Sequence, residues 1–278
     1  MRLKYVVEEE CLVKDYVLKL NLSKRMLKKI KNRNGFYING ESAKNFFPLK
    51  KGDVLELEFF EKMNDEYEES DIDLNIVYED EYMIIIDKQN NIASQPSNMH
   101  LKDNVLSMAK SYFKKKGIDN NIHLVNRLDF ATSGLLIISK SSMFHYLLSK
   151  VKIEKRYICE VEGFLEKESD IIETYIDRYK APNIKRFVSD KGKLAITEYK
   201  VIKRKENSSY VEVLLHTGRC HQIRLHMAYL NCPIIGDKLY GNALEDDNDV
   251  ILHLHAYKLS FVHPITEEFI EIESACKW

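Results

Sequence analysis

Apolar positions along the chain repeat with two different periods. Within residues 22–30 they recur at helical spacing, at Leu22, Met26, Leu27 and Ile30. Ser23 stands at the N-cap position of this helix. Residues 53–59 instead alternate apolar and acidic side chains, which predicts a half-buried strand. The Asn39-Gly40 pair ends the short strand 35–40 in a turn.

Residues 133–241 also combine strand and helix patterns. The run "SGLLIIS" at 133–139 predicts a core strand, and residues 155–163 alternate Tyr157, Cys159 and Val161 with more polar positions. In residues 214–241 a strand ends at a Thr-Gly turn and a helix begins near His221. We therefore expect an α+β fold with a mixed, mostly antiparallel central sheet flanked by helices.

Charge is balanced overall but distributed unevenly. The chain has 42 Lys plus Arg against 43 Asp plus Glu, so its net charge gives no sign of a polyanionic partner. Residues 23–33, however, carry six cations and no acid, whereas residues 61–81 carry ten acids and one lysine. The chain thus presents two patches of opposite charge.

The cysteines and the lengths of the apolar runs indicate the compartment. Five cysteines stand far apart without a CxxC pair, and the N-terminus has no signal peptide. No apolar run approaches the roughly 20 residues of a membrane helix. We expect reduced thiols, a cytoplasmic protein and no membrane contact.

The candidate chemistry begins at Arg127 and Asp129. In an extended chain alternate side chains share a face, so these two point together while Leu128 points inward. Such a pair on its own is usually a structural salt bridge. Further motifs are needed before a catalytic role is favoured.

The basic helix, the strand bearing Asn-Gly and the strand in "LKKGDVLEL" occur in an order that resembles the S-four-like RNA-binding domain. The resemblance implies a small α/β domain at residues 1–62, followed by an acidic linker at 63–75. It also implies that the helix binds RNA phosphates through Lys24, Arg25, Lys28 and Lys29. The simpler alternative is a solvated charged face.

Four ordered motifs resemble the RluA/RluD type of pseudouridine synthase. They are Arg-Leu-Asp with Thr-Ser-Gly at 127–134, Lys-x-Tyr at 155–157, the run at 217–226, and "LHLHAYKLSFVHP" at 252–264, which looks like the family's last strand. Two positions depart from the family: Asn126 replaces a usual histidine, and Phe130 replaces a small or basic residue. The resemblance implies the pseudouridine synthase fold over residues 76–278.

The resemblance also implies roles for individual residues. Asp129 is the expected nucleophile, Arg224 the cation that keeps it charged, and Tyr157 the ring that stacks on the target base and moves a proton. Arg127 and Ile223 are the expected substrate contacts, with Arg127 entering the RNA stack where the uridine is removed. The expected reaction isomerises uridine to pseudouridine in structured ribosomal RNA, with transfer RNA as a second substrate. No cofactor or metal is expected, and we expect a monomer.

Three alternative functions compete with this interpretation. A metal site could use His221 with His226, or His253 with His255, but no Cys or carboxylate completes a ligand set at a recognisable spacing. A glycoside hydrolase would need two cooperating carboxylates, and the motifs offer one. A catalytically inactive RNA-binding or ribosome-assembly factor would be expected to have lost the site residues, which are all present. The sequence does not assign a use to the acidic run 244–250.

Overall fold

The computed structural model describes residues 2–20, 22–59, 61, 63, 67–180, 182–244 and 250–278. We call residues 2–59 the front module. Its elements are β1 (Arg2–Val6), β2 (Cys11–Leu12), α1 (Val13–Lys19), α2 (Lys24–Asn32), β3 (Phe36–Ile38), β4 (Glu41–Ala43), β5 (Pro48–Leu49) and β6 (Val54–Glu58).

The front module has a sheet of its own and supplies most of one hydrophobic core. The sheet runs in the order β1-β6-β3-β4, and β2 pairs with β5 separately. Ser23 caps α2, as predicted, by accepting a hydrogen bond from the Met26 amide at 3.3 Å. The core that α2 and the strands enclose also includes Met143 from the rest of the chain. On the acidic face of β6, Glu56 is buried, and its carboxylate forms ion pairs with Arg2 and Lys4.

The remaining elements form one large sheet with three helices in the described part of the chain. They are β7 (Ile76–Glu79), β8 (Met83–Lys88), α3 (Val105–Lys115), β9 (His123–Leu124), β10 (Ser133–Ser139), α4 (Ser142–Leu148), β11 (Glu154–Glu162), β12 (Ser169–Arg178), β13 (Arg186–Ser189), β14 (Lys193–Arg204), β15 (Ser208–Leu215), α5 (Gln222–Tyr229), β16 (Leu254–Val262) and β17 (Phe269–Glu273).

This sheet follows the order β13-β12-β14-β15-β11-β16-β10-β8-β7. The β10–β16 pair is parallel and the other pairs are antiparallel, so the predicted mixed, mostly antiparallel α+β fold is confirmed. One expectation was wrong. The strand β16 is not the last, since β17 follows it and pairs with it from Lys258 to Val262.

The two faces of the central strands are both covered. Alternate residues of β8 and β10 pack with α3 and α5 on one side and with α4 on the other. This explains why "SGLLIIS" has no polar face: every residue of β10 is buried. In the part of the chain that the structure describes, no helix has both the length and the apolar character needed to cross a membrane.

The acidic segment after the front module lies against α3. Lys114 pairs with Glu69 at 2.7 Å and Lys115 pairs with Asp73 at 2.9 Å. The described acidic residues of the expected linker therefore neutralise the basic C-terminal end of α3. Residues 64–66 of this segment, and residues 245–249 of the acidic run 244–250, lie outside the described residues.

Candidate active site

A cavity of about 670 Å³ opens between the loop before β10, strand β11 and the start of α5. Its lining includes five of the residues that the sequence singled out: Arg127, Asp129, Tyr157, Ile223 and Arg224. The four cations Lys24, Arg25, Lys28 and Lys29 lie on α2 and do not line it. The structure thus brings together all four motifs, the last of them through Leu254, and the basic helix is not part of the cavity lining.

Asp129 lies on a loop that is fixed from two sides. Ser94 donates a hydrogen bond to the Leu128 carbonyl at 2.6 Å and accepts one from the Leu128 amide at 3.2 Å. The Asp129 carbonyl accepts from the Thr132 amide at 3.1 Å. Among the described residues, the Asp129 carboxylate itself accepts no hydrogen bond. Leu128 is buried and Arg127 is exposed, so the alternation expected from the sequence holds.

Asn126, which replaces the family's usual histidine, anchors the same loop to β10. Its side-chain oxygen accepts from the Ile137 amide at 2.8 Å, and its amide donates to the Leu135 carbonyl at 3.3 Å. Phe130, the second departure, stacks on His100 with ring centroids 4.7 Å apart. Both unusual residues therefore support the Asp129 loop.

Tyr157 lies on β11 and forms part of the cavity floor. It is buried, with 6% of its surface exposed. Burial raises the pKa of its phenol, and the nearby charge of Asp129 raises it further. The ring is therefore neutral at physiological pH, and it presents an apolar face to whatever enters the cavity.

Arg224 has a direct partner that the sequence analysis missed. Its Nε and Nη2 donate to the two carboxylate oxygens of Asp237 at 2.8 and 2.7 Å, and both side chains are buried. Burial opposes the charge on Arg224, but Asp237 and then Asp129 outweigh it, so the arginine pKa lies above its usual value. Burial likewise opposes the charge on Asp237, and Arg224 still holds the pKa of that carboxyl below its usual value.

The structure adds a partner to the expected role of Arg224 as the cation for Asp129, and that role stays a prediction. Arg224 is joined to Asp237, and in the described residues no hydrogen bond links it to Asp129, on which it acts through space. A bidentate partner fixes the plane of a guanidinium, so Asp237 orients Arg224 in the cavity wall. The signal in the sequence was Asp237 itself, an acid directly after Gly236 and the apolar run 233–235.

Lys88 is a second residue that the sequence analysis missed. It ends the apolar strand β8, is 3% exposed, and donates to the carbonyls of Gln89, Ile92 and Phe130 at 2.8, 2.8 and 3.1 Å. Burial lowers its pKa to about 7, against the opposing effects of Asp129 and Asp87. The available signal was a lysine that follows the apolar run Met83–Ile86 and Asp87 in the same strand. Its bond to Phe130 ties β8 to the Asp129 loop.

Cys220 and His221 form the rim nearest Asp129. His221 precedes α5 with φ 57° and ψ 19°, a left-handed conformation that is uncommon for a residue with a side chain. Its Nδ1 lies 3.0 Å from the Tyr240 hydroxyl, and burial lowers the pKa of the imidazole. Surrounding protein and the charge of Asp129 raise the pKa of the Cys220 thiol, although the residue is exposed.

The remaining predicted contacts occupy the rim and the wall. Arg127 is exposed and donates to the Gln95 side chain at 3.3 Å, whereas Ile223 is buried in the wall. The buried Thr132 hydroxyl, also in the lining, has no hydrogen-bond partner among the described residues. His221 and His226, one of the two histidine pairs considered as metal ligands, do not form a site, because both ring nitrogens of His226 are hydrogen-bonded to Thr174 and Thr197.

Comparisons with known proteins agree with this fold and cavity. The family model described as RNA pseudouridylate synthase matches residues 82–229. The uncharacterized RNA pseudouridine synthase YjbO of Bacillus subtilis is 34% identical over 262 residues, covering 92% of each chain. The ribosomal large subunit pseudouridine synthase D of Borreliella burgdorferi is 34% identical over 279 residues, covering 91% of this chain and 85% of the relative.

Among solved structures, human RNA pseudouridylate synthase domain containing 1 has the same fold, with a TM-score of 0.59 and 21% identity. The match covers 73% of this chain and 84% of the human chain. The fold is thus that of the RNA pseudouridylate synthases, a class of base-modifying isomerases. The chain belongs to the RNA pseudouridylate synthase family. The prediction of an RNA pseudouridine synthase, an isomerase, is confirmed.

Proposed function

We propose that the chain isomerises specific uridines in structured ribosomal RNA and that Asp129 is the nucleophile. The observation that carries the proposal is the Asp129 carboxylate, which faces a cavity shared with Tyr157 and Arg224 and accepts no hydrogen bond from a described residue. The cavity volume of about 670 Å³ is within the range of small-ligand sites and suits one nucleotide. The name of the Borreliella relative favours ribosomal RNA as the substrate.

The reaction is an internal rearrangement, so no atom is gained or lost. The bond between the ribose anomeric carbon and the ring nitrogen breaks, the base turns, and the same anomeric carbon joins a ring carbon. The proton on that ring carbon leaves, and the ring nitrogen that lost its sugar takes up a proton. Asp129 assists by attacking either the anomeric carbon or the pyrimidine ring, and both sites of attack fit the proposal.

Tyr157 would hold the detached base. The sequence left it two tasks, stacking and proton transfer. Because its raised pKa keeps the phenol neutral, the ring is well suited to stack on the base and poorly suited to act as a ready base. We therefore assign Tyr157 first to stacking, with proton transfer only in a step where the phenol proton leaves at the same time.

Arg224 and Arg127 would act on different parts of the substrate. The fixed, buried Arg224 supplies positive charge to the cavity in which Asp129 reacts. The exposed Arg127 at the rim is placed to fill the gap in the RNA stack when the uridine is turned out, a step that costs a few kcal/mol. Ile223 gives the wall an apolar surface that keeps water from the detached sugar.

The front module would add affinity for RNA. We propose that residues 1–62 form an S-four-like RNA-binding domain and residues 76–278 the catalytic domain. The outward cations of α2 support this, since Lys24, Arg25, Lys28 and Lys29 are exposed and make no ion pair with a described residue. We also propose a cytoplasmic monomer, in keeping with five free cysteines.

A direct test uses the purified protein and ribosomal RNA from a cell that lacks it. New pseudouridine at one or a few defined uridines, mapped by chemical labelling and reverse transcription, is the expected result. Transfer RNA from the same cell tests the second substrate. RNA binding without new pseudouridine on either RNA would contradict the proposal and favour the inactive RNA-binding factor.

A further inference from the structure

Three metal-ligating side chains converge at the mouth of the cavity. A carboxylate oxygen of Asp129, the sulfur of Cys220 and a ring nitrogen of His221 all lie within 4.8 Å of one another. They come from two places in the chain, the loop before β10 and the residues just before α5. Oxygen, sulfur and nitrogen are the three ligand types that Zn²⁺ takes in proteins. The cluster is not recognisable from the sequence, because 91 positions separate Asp129 from Cys220.

The geometry is close to that of a bound ion. Zinc–ligand bonds of about 2.0–2.3 Å in a tetrahedron place ligand atoms about 3–4 Å apart, so the cluster must contract by roughly 1 Å. Asp129 has freedom to make this movement, since its carboxylate accepts no hydrogen bond from the described residues. Cys220 is exposed, so its side chain can rotate towards an ion by giving up its hydrogen bond with the Arg186 side chain.

The histidine has the support that metal ligands ordinarily have. Metal-bound imidazoles engage their second nitrogen with an oxygen partner, which fixes the ring. In His221 the Nδ1 atom lies 3.0 Å from the Tyr240 hydroxyl, and in the tautomer whose Nδ1–H donates to this hydroxyl Nε2 is available to an ion. The left-handed backbone at His221 places the ring beside the cavity.

We propose that Asp129, Cys220 and His221 form a Zn²⁺ site, with water in the fourth position, and that its occupation switches the enzyme off. Binding replaces the thiol proton of Cys220, which passes to solvent, and no atom is oxidised or reduced. The two anionic ligands neutralise the ion, so Arg224 faces no added positive charge. The loss of activity rests on the proposed function, because it follows from Asp129 becoming a ligand. The binding of the ion does not.

Cobalt tests the binding alone, without RNA. Co²⁺ added to the metal-free protein should give one equivalent of a tetrahedral spectrum with a thiolate-to-metal charge-transfer band, and Zn²⁺ should displace it. Cys220→Ser should lose the charge-transfer band and bind Zn²⁺ at least about tenfold more weakly, since loss of an outer partner alone costs that much. The control is Cys276→Ser, which changes a thiol outside the cavity and should leave spectrum and affinity unchanged.

Activity tests the switch. Zn²⁺ should stop the wild-type enzyme and a chelator should restore it, while Cys220→Ser should keep most of its own chelator-treated rate in the same Zn²⁺. A charge-transfer band that persists in Cys220→Ser, or no band in the wild type, would overturn the site. Binding as expected with equal zinc inhibition of both proteins would overturn the switch. Should no RNA be modified, the cobalt spectrum still decides the site, and only the proposed function fails.

Discussion

At the scale of single residues, the site depends on how few groups touch Asp129. Its carboxylate accepts no hydrogen bond from the described residues, so the proposed attack on the substrate would break no hydrogen bond with them. The charge needed nearby is held by Arg224, whose partner is Asp237. This division leaves one carboxylate to fix the cation and the other free to react.

Asp237→Asn should cost the fold about 3–5 kcal/mol, because it leaves the buried Arg224 without a charged partner. Since the pKa of Asp237 is lowered in the folded chain, its contribution is fully present above its ordinary value of 3.8 and is lost as pH falls through the folded value. Urea unfolding at neutral and acid pH should show the gap between wild type and variant shrinking in acid.

An exposed pair gives the control for Asp237→Asn. Arg204 pairs with Glu168 at 2.8 Å at the surface, where solvent weakens the attraction. Glu168→Gln should therefore cost no more than about 1 kcal/mol. Equal losses in Glu168→Gln and Asp237→Asn would contradict a structural role for the buried pair.

Lys88 gives a second residue-scale prediction. Its folded pKa of about 7 lies below the ordinary 10.5, so between these values the unfolded chain holds a proton that the folded chain has released. Unfolding free energy should therefore rise with pH in this window, by up to about 1.4 kcal/mol per pH unit. Lys88→Met should remove that slope in urea unfolding between about pH 7.5 and 9.

The exposed Lys200 is the control for Lys88. Lys200→Met should keep the wild-type slope, because Lys88 and the groups that surround it are unchanged in this variant. If the difference in unfolding free energy between wild type and Lys88→Met stays constant between about pH 7.5 and 9, burial does not disfavour the charge on Lys88.

At the scale of elements, the sequence predicted most of what the structure contains. Helix α2, strands β10 and β11 and the start of α5 were all found, because each has a clear period or a cap. Strand β17 was missed, since a run of only five residues, two of them acidic, gives a weak signal. The close approach of β10 to β16 was not predictable either, because the two strands are parallel and 121 residues apart at their starts.

Gly134 makes that approach feasible. A Cβ added there would lie 2.4 Å from the Ala256 carbonyl oxygen, and φ is +110°. Gly134→Ala should therefore lower the free energy of unfolding by clearly more than about 1 kcal/mol, because the new methyl group meets both an unfavourable φ and the Ala256 backbone. Gly117→Ala is the control, since φ is +66° and nothing lies within 4 Å of its added Cβ. Equal losses would mean that the contact with Ala256 contributes nothing.

Helix α2 carries the prediction for RNA affinity. Replacing Lys24, Arg25, Lys28 and Lys29 by Ser should weaken binding and flatten its salt dependence, each lost phosphate contact removing about 0.7–0.9 from the log-log slope. Lys114→Ser with Lys115→Ser is the control, because Glu69 and Asp73 already neutralise these lysines. An unchanged slope in the α2 variant would mean that α2 does not hold RNA.

At the scale of the whole molecule, the large sheet assembles a site from distant segments. Motif order was enough to select Arg127, Asp129, Tyr157 and Arg224, and the fold places all four around one cavity. Motifs do not show which side chains pair, so Asp237 and Lys88 emerged only from the structure. The Asp129–Cys220–His221 cluster is likewise a product of the fold, formed by chain segments with no shared motif.

The central claim is that Asp129 performs the covalent step while the rest of the molecule binds RNA. The most direct test is Asp129→Asn, assayed for pseudouridine formation and for RNA affinity on the same ribosomal RNA. The amide keeps the shape of the side chain and removes the nucleophile, so turnover should vanish while affinity stays near that of wild type. The exposed Asp119→Asn should behave as wild type in both assays. Product formed by Asp129→Asn at the native rate would contradict the account.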